Sequence, residues 1–265
     1  MAAIRQYINQ MLKISAEKRF WLCVLGEVDQ KQIWLVRTRS TLEHNDLKLL
    51  IAGGFHGEEK AGPYAILKFM ENCENDLLQK VDLSFIPIVN PWGFAKNTRY
   101  GPLGEKTNCG FCHPERKEKP SREGQILINN IDLLKPLAED GFLSLHEDAR
   151  EKEYYVYTFE KRKSPGPFTL GIKEELGKYF RKALDGEHVE IDASDGSATG
   201  PKVKDGVVFR HCDGSFEDWL FHLGTPRAAV TETPGLYRLK RRVDAGTSVI
   251  SKFVELNLEL GRKPE

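Results

Sequence analysis

The stretch LKLLIAGGFHGEEKAG, residues 47–62, carries the reading that decides the fold of this chain. Leu47 to Ala52 is a short apolar run of the kind that becomes a buried strand, and Gly53-Gly54 gives it a sharp exit. From Ala61 to Leu78, the residues Tyr64, Ala65, Phe69, Cys73 and Leu77 recur at helical spacing with polar residues between them. A strand therefore turns into a helix, and the turn carries His56 and Glu59. An imidazole and a carboxylate three residues apart at such a bend can converge on one cation. Both are standard zinc ligands, and a catalytic zinc uses three protein ligands while keeping a fourth position for water. A His-x-x-Glu pair by itself arises often by chance, so a third ligand is needed from elsewhere.

Working outward, Trp21 to Val28 and Ile33 to Thr38 are β-rich runs that suit hairpin-connected strands. Met1 to Lys18 reads as a surface helix and lacks the apolar core and small-residue site of a secretory signal. Downstream, Val81 to Val89 is a strand stopped by the turn signal Asn90-Pro91. Lys96 to Ser121 has no apolar period and reads as a long loop placed to cover a site. Helices are expected over Glu123 to Leu137, Thr169 to Leu184 and Ser248 to Leu260, and strands over Gly141 to Leu145, Tyr154 to Phe159 and Ala228 to Thr231. Alternation that begins with a hairpin gives a mixed sheet with helices on both faces. His146 emerges at a strand end, the usual place for sites in open α/β sheets, and is the best third ligand. His44, His113, His188, His211 and His222 read as surface or loop residues.

Lysine and arginine balance aspartate and glutamate at 39 each, so no bulk charge draws the chain to nucleic acid or an anionic membrane. No window approaches the roughly 18 apolar residues that span a bilayer, and a cytoplasmic protein is expected. Five cysteines are an odd number, which argues against a disulfide framework. Cys109-Gly110-Phe111-Cys112-His113 matches the haem-attachment pattern formally, but attachment needs an export route that this N-terminus does not offer. As a structural zinc pair, Cys109 and Cys112 lack the companion pair in sequence.

Taken in order, the motifs resemble those of the zinc carboxypeptidase family, whose superfamily includes carboxypeptidase A and, more distantly, the succinylglutamate desuccinylase and aspartoacylase enzymes. Gly54 to Glu59 resembles the first two zinc ligands, and Leu145-His146 the third-ligand strand. Val89-Asn90-Pro91-Trp92-Gly93-Phe94 resembles the family's Asn-Pro-Asp-Gly turn, with Trp92 where Asp is usual. Asp213 to Trp219 is similar to its Gly-Ser-x-Asp-Trp segment, and Val230 to Pro234 to the strand that carries the general base. The resemblance implies a single zinc carboxypeptidase-like (phosphorylase/hydrolase-like) α/β domain over 1–265, with a mixed sheet of the eight-stranded type. It also implies one zinc on His56, Glu59 and His146, with Glu232 as general base and Arg99 polarising the scissile carbonyl. Asn108 and Arg210 are the candidate substrate-binding residues.

Two departures bear on the substrate. The family's Asn-Arg pair, which holds a substrate carboxylate, is matched by Asn108-Cys109, and a thiol cannot form a bidentate bond to carboxylate. The family's mobile tyrosine falls near Phe209 or Arg210. Arg210, Arg116 or Arg122 could replace the missing cation. The expected activity is hydrolysis of an amide bond in a short peptide. The alternatives are an N-acyl amino acid deacylase and a zinc-binding module without catalysis. Glu147-Asp148 directly after His146, with Glu58 beside the first motif, suggest a bridged second metal, although orienting a ligand histidine or facing solvent is the better reading of them.

Overall fold

A computed structural model describes residues 2–38, 47–187, 190–191, 198–199 and 201–262; His44 and His188 lie outside the described residues. The strands are β1 (Trp21–Val28), β2 (Lys31–Arg37), β3 (Leu47–Gly53), β4 (Val81–Ile86), β5 (Gly141–Asp148), β6 (Glu153–Glu160), β7 (Arg181–Lys182), β8 (Gly186–Glu187), β9 (Glu190–Ile191), β10 (Ala198–Thr199), β11 (Lys202–Val203), β12 (Val207–Phe209) and β13 (Arg227–Pro234). The helices are α1 (Ala2–Lys18), α2 (Ala61–Asn72), α3 (Asn75–Leu78), α4 (Pro91–Lys96), α5 (Arg122–Asn129), α6 (Ile131–Leu137), α7 (Pro167–Gly177), α8 (Phe216–His222) and α9 (Leu239–Leu260).

Nine strands form one mixed sheet in the order β1-β2-β4-β3-β5-β13-β6-β12, with β7 against β6. At its centre β4, β3, β5 and β13 are mutually parallel, while β1, β2 and β6 join antiparallel. Alternate residues of the central strands face opposite sides. Leu49, Ile51, Leu83, Phe85, Leu143 and Leu145 pack with the apolar faces of α1, α2, α7 and α9. Leu50, Ala52, Ile86 and Phe142 pack with α5, α6 and α8. Burial on both faces explains why these strands read as nearly continuous apolar runs. The fold is the mixed α/β domain with helices on both faces that the sequence leads one to expect, one strand wider. Among the described residues no helix is long and apolar enough to cross a membrane.

Several boundaries differ from expectation for local reasons. The helix that begins at Ala61 stops before Cys73, which takes an extended conformation, and a separate turn forms α3. Asn90-Pro91 ends the strand but also starts α4. The Asn90 side chain accepts from Gly93 N at 2.7 Å, and Pro91 sits at the first helical position. Asn130 interrupts the expected Glu123 to Leu137 helix, its Nδ2 donating to Leu25 O at 3.0 Å. The helix expected to run to Leu184 closes at Gly177, and β7 follows it.

Candidate metal centre

The strands β3, β5 and β13 are parallel neighbours, so their C-terminal ends open on one edge of the sheet. His56 and Glu59 lie just beyond the end of β3, His146 near the end of β5, and Glu232 near the end of β13. The turn after β3 depends on glycine twice. Gly54 adopts φ +61°, and a Cβ on Gly57 would lie 2.0 Å from the carbonyl carbon of Gly93. Backbone bonds from Val89 N to Gly53 O (3.0 Å) and from Asn90 N to Gly54 O (2.8 Å) tie this turn to the segment leading into α4.

The result is a tight trio. His56 Nδ1 lies 2.6 Å from Glu59 Oε1, His146 Nδ1 lies 3.1 Å from Glu59 Oε2, and the two Nδ1 atoms are 3.3 Å apart. His146 stacks on Phe55, with ring centroids 5.6 Å apart and an interplanar angle of 15°. Glu59 Oε2 and His146 Nε2 are buried without a hydrogen-bond partner in the protein. Two imidazole nitrogens and a carboxylate oxygen aimed at one another, with a buried acceptor left over, fit a divalent cation held by His56, Glu59 and His146.

Electrostatics say the same. Burial opposes the charge of Glu59, but His56 and His146 outweigh it and hold the carboxyl far below its ordinary range. Burial, reinforced by Arg99, lowers His56 to about 4. Burial also works against a charge on His146, yet Glu59 beside it raises the imidazole above its ordinary value. Without a metal, Glu59 is balanced by the imidazoles and by Arg99 beside it. A divalent cation would do so with both rings neutral, which is the form that ligates.

Around the trio, Arg99 Nη1 sits 3.5 Å from Glu59 Oε1, with its side chain still partly exposed. Glu232 pairs in parallel register with His146, which sets the two residues side by side on the same face of the sheet. Glu147 is engaged structurally. It accepts from Ala61 N at 2.8 Å at the start of α2 and pairs with Arg242, while Asp148 accepts from Tyr155 Oη at 3.2 Å. Neither Glu147, Asp148 nor Glu58 joins the metal-competent group among the described residues.

The substrate-side candidates lie differently. Both ends of the Asn108 amide are used within the protein: Oδ1 accepts from Phe216 N at 3.0 Å, and Nδ2 donates to Glu217 Oε1 and Oε2 at 3.2 and 3.3 Å. Asn108 therefore joins the long loop to α8. Arg210 is exposed, donating to Arg162 O at 3.2 Å and lying over the Phe221 ring, and it makes no contact with the trio. Arg116 reaches Cys212 O, and Arg122 pairs with Glu105 and Asp29. The Cys109 thiol is pushed up to about 11, by burial first and then by Glu118, so it stays protonated. The sequence reading missed Glu217. This buried carboxyl faces His146 electrostatically and is raised to about 7, chiefly by burial. It is one acid in an acidic segment, and only the packing of α8 distinguishes it.

The catalytic-domain model of the succinylglutamate desuccinylase/aspartoacylase family matches residues 45–126, the part that carries His56, Glu59, Arg99 and Asn108. No curated protein matches the sequence. Among solved structures, a "putative metallopeptidase" from Shewanella amazonensis is 34% identical, with 99% of this chain and 94% of that chain covered and a TM-score of 0.86. A second, from Shewanella denitrificans, is 36% identical over 96% and 90% of the two chains, at a TM-score of 0.85. A metallo-carboxypeptidase from Burkholderia cenocepacia shares the fold at 13% identity and a TM-score of 0.68, with 97% of this chain and 69% of that one covered. Identity above one third along nearly the whole of a metallopeptidase-class structure, together with the trio at the strand ends, means that the chain belongs to the zinc carboxypeptidase-like family of hydrolases.

Proposed function

We propose that the protein is a zinc-dependent amide hydrolase of the carboxypeptidase kind that acts on short peptides. The observation that carries this reading is the convergence of His56 Nδ1, His146 Nδ1 and Glu59 at the ends of parallel strands. Zinc held there supplies a water of lowered pKa and a Lewis acid for the carbonyl. Glu232, in register with His146, takes a proton from the attacking water and returns it to the leaving amine. Arg99 offers a guanidinium to the negative charge that develops on the carbonyl oxygen.

Zinc-loaded protein is expected to cleave at least one member of a panel of short peptides. Glu232→Gln is expected to lower kcat by about 10²–10⁴-fold with the zinc content unchanged. Turnover that survives the substitution overturns the assigned base.

The second reading is removal of an acyl group from an amino acid. The desuccinylase/aspartoacylase match and the protonated thiol at Cys109, in place of a carboxylate-binding arginine, support it. N-acyl amino acids in the same panel decide between the two by which class shows the higher kcat/KM.

A further inference from the structure

Beyond the trio, one more mixed-donor cluster exists among the described residues: Cys112, His113, Asp218 and His222, each offering a ligand atom within 4.8 Å of the others. Two of the four are neighbours in the long loop, and the other two lie four residues apart on one face of α8. Asp218 is fully buried. Its Oδ2 lies 2.9 Å from His113 Nε2 and 3.6 Å from Cys112 Sγ, and it also accepts from Gly214 N at 3.0 Å. Its other oxygen, Oδ1, is buried with no hydrogen-bond partner, although His222 Nδ1 stands 3.1 Å away, already directed to the Asp218 carbonyl at 2.9 Å. The rings of His113 and His222 meet edge-on, with centroids 5.2 Å apart at 85°. No lysine or arginine pairs with this buried carboxylate among the described residues; its ionic contacts are the two histidines.

We propose that Cys112, His113, Asp218 and His222 bind a second divalent metal of the zinc class, which clamps the loop to α8. The donor set of thiolate, two imidazoles and carboxylate is that of a closed tetrahedral site. One thiolate and one carboxylate neutralise a divalent charge, which offsets the cost of burying the Asp218 carboxylate with no lysine or arginine beside it. Binding displaces the Cys112 proton to solvent as the sulfur–metal bond forms. Burial, aided by Asp218, pushes that thiol up to about 12, so the metal and not the fold alone makes the thiolate. His113 turns its Nδ1 to Glu115 Oε1 at 3.4 Å, an outer carboxylate of the kind that orients ligand histidines. Cys109 is excluded from the site, its Sγ facing Lys106 O at 3.7 Å. The Cys-x-x-Cys-His stretch thus contributes its last two residues, and the companions absent from its sequence neighbourhood come from α8. The clamp lies where Asn108 joins Glu217 and where Phe111 N donates to Gly214 O at 3.0 Å, so it fixes the wall of the loop beside the first metal site.

The test is metal content of the full chain loaded with zinc(II) and freed of excess, together with spectra after loading with cobalt(II). The expected result is two equivalents of zinc, falling to one in Cys112→Ser and in His222→Ala, whose side chain is 47% exposed and so outside the apolar core. Cys109→Ser retains two. Cobalt should give a near-ultraviolet thiolate charge-transfer band in the unmodified protein, because the trio contains no sulfur. That band should persist in His56→Ala and vanish in Cys112→Ser. An unmodified chain that holds one equivalent in all, removed completely by His146→Ala, or a band abolished by Cys109→Ser, overturns the proposal. Loss of the trio alone would leave the band intact, so failure of the hydrolase reading and failure of this one are distinguishable.

Discussion

At the residue scale, the site works by setting unlike charges against burial, and each charge can be read separately. Arg99 depresses His56 and faces Glu59, so Arg99→Ala has two consequences. Turnover should fall about 10²–10³-fold, mainly in kcat, because the guanidinium acts on charge that develops only in the transition state. In metal-free protein, an NMR titration should show the His56 pKa rising from about 4, since a lowering influence is gone. An unchanged titration would mean that Arg99 does not face the trio. Glu217 gives a second residue-level prediction. Its carboxyl is raised from the ordinary 4.5 to about 7, so between those values the folded chain holds a proton that the unfolded chain has released. Stability of the metal-free protein therefore falls as pH rises through that window. Glu217→Gln keeps an oxygen for Asn108 and removes the titration. It should raise stability at pH 8 by about 1–3 kcal/mol and change little at pH 4. Denaturant unfolding at the two pH values checks this, and equal gains at both would exclude Glu217 as the titrating group.

At the scale of elements, the site depends on how closely α4 approaches the turn after β3. A methyl group on Gly57 would meet Gly93 C at 2.0 Å and Phe94 N at 2.3 Å, which are backbone atoms that cannot swing aside. Gly57→Ala should cost about 3 kcal/mol or more and weaken zinc binding with it, because α4 must withdraw from the segment that spaces His56 and Glu59. Thermal unfolding and metal titration measure both effects, and a variant of native stability would contradict this packing. The same region shows what a sequence reveals and what it hides. The strands around Leu49, Phe85 and Leu143 were legible because burial on both faces makes an unbroken apolar run. His56, Glu59 and His146 were legible because they stand at the ends of such runs. The helix α4 was not, since Asn90-Pro91 is a strand stop and a helix start at once, and only the Asn90 cap on Gly93 separates the two. The strand β5 runs on through His146 and Glu147 because Glu147 pairs with Arg242 and accepts from Ala61 N, partners that lie 95 and 86 residues away. Glu217 and the α8 half of the cysteine cluster stayed hidden for the same reason: their partners are set by tertiary packing.

At the scale of the whole molecule, parallel strands bring together candidate ligands that the chain keeps 90 residues apart, so a metal bound there would link its binding to folding. The unfolded chain cannot assemble the trio, and zinc bound at the native site therefore stabilises by mass action. At a thousandfold excess over the dissociation constant the gain is about 4 kcal/mol. For a chain of this size that corresponds to roughly 10 °C in Tm, at about 2–4 °C per kcal/mol. The measurement is cleanest in the Cys112→Ser background, where the trio is the remaining site. There EDTA should lower Tm by about that amount and zinc should restore it. Adding His146→Ala should abolish the response, whereas adding Glu232→Gln should leave it intact, because Glu232 stands beside the ligands in register and is outside the metal-competent group. A Tm indifferent to EDTA would mean that His56, Glu59 and His146 hold no metal in solution. A response lost in Glu232→Gln would make that residue a ligand and leave Glu217, the buried carboxyl that faces His146, as the candidate for moving the proton.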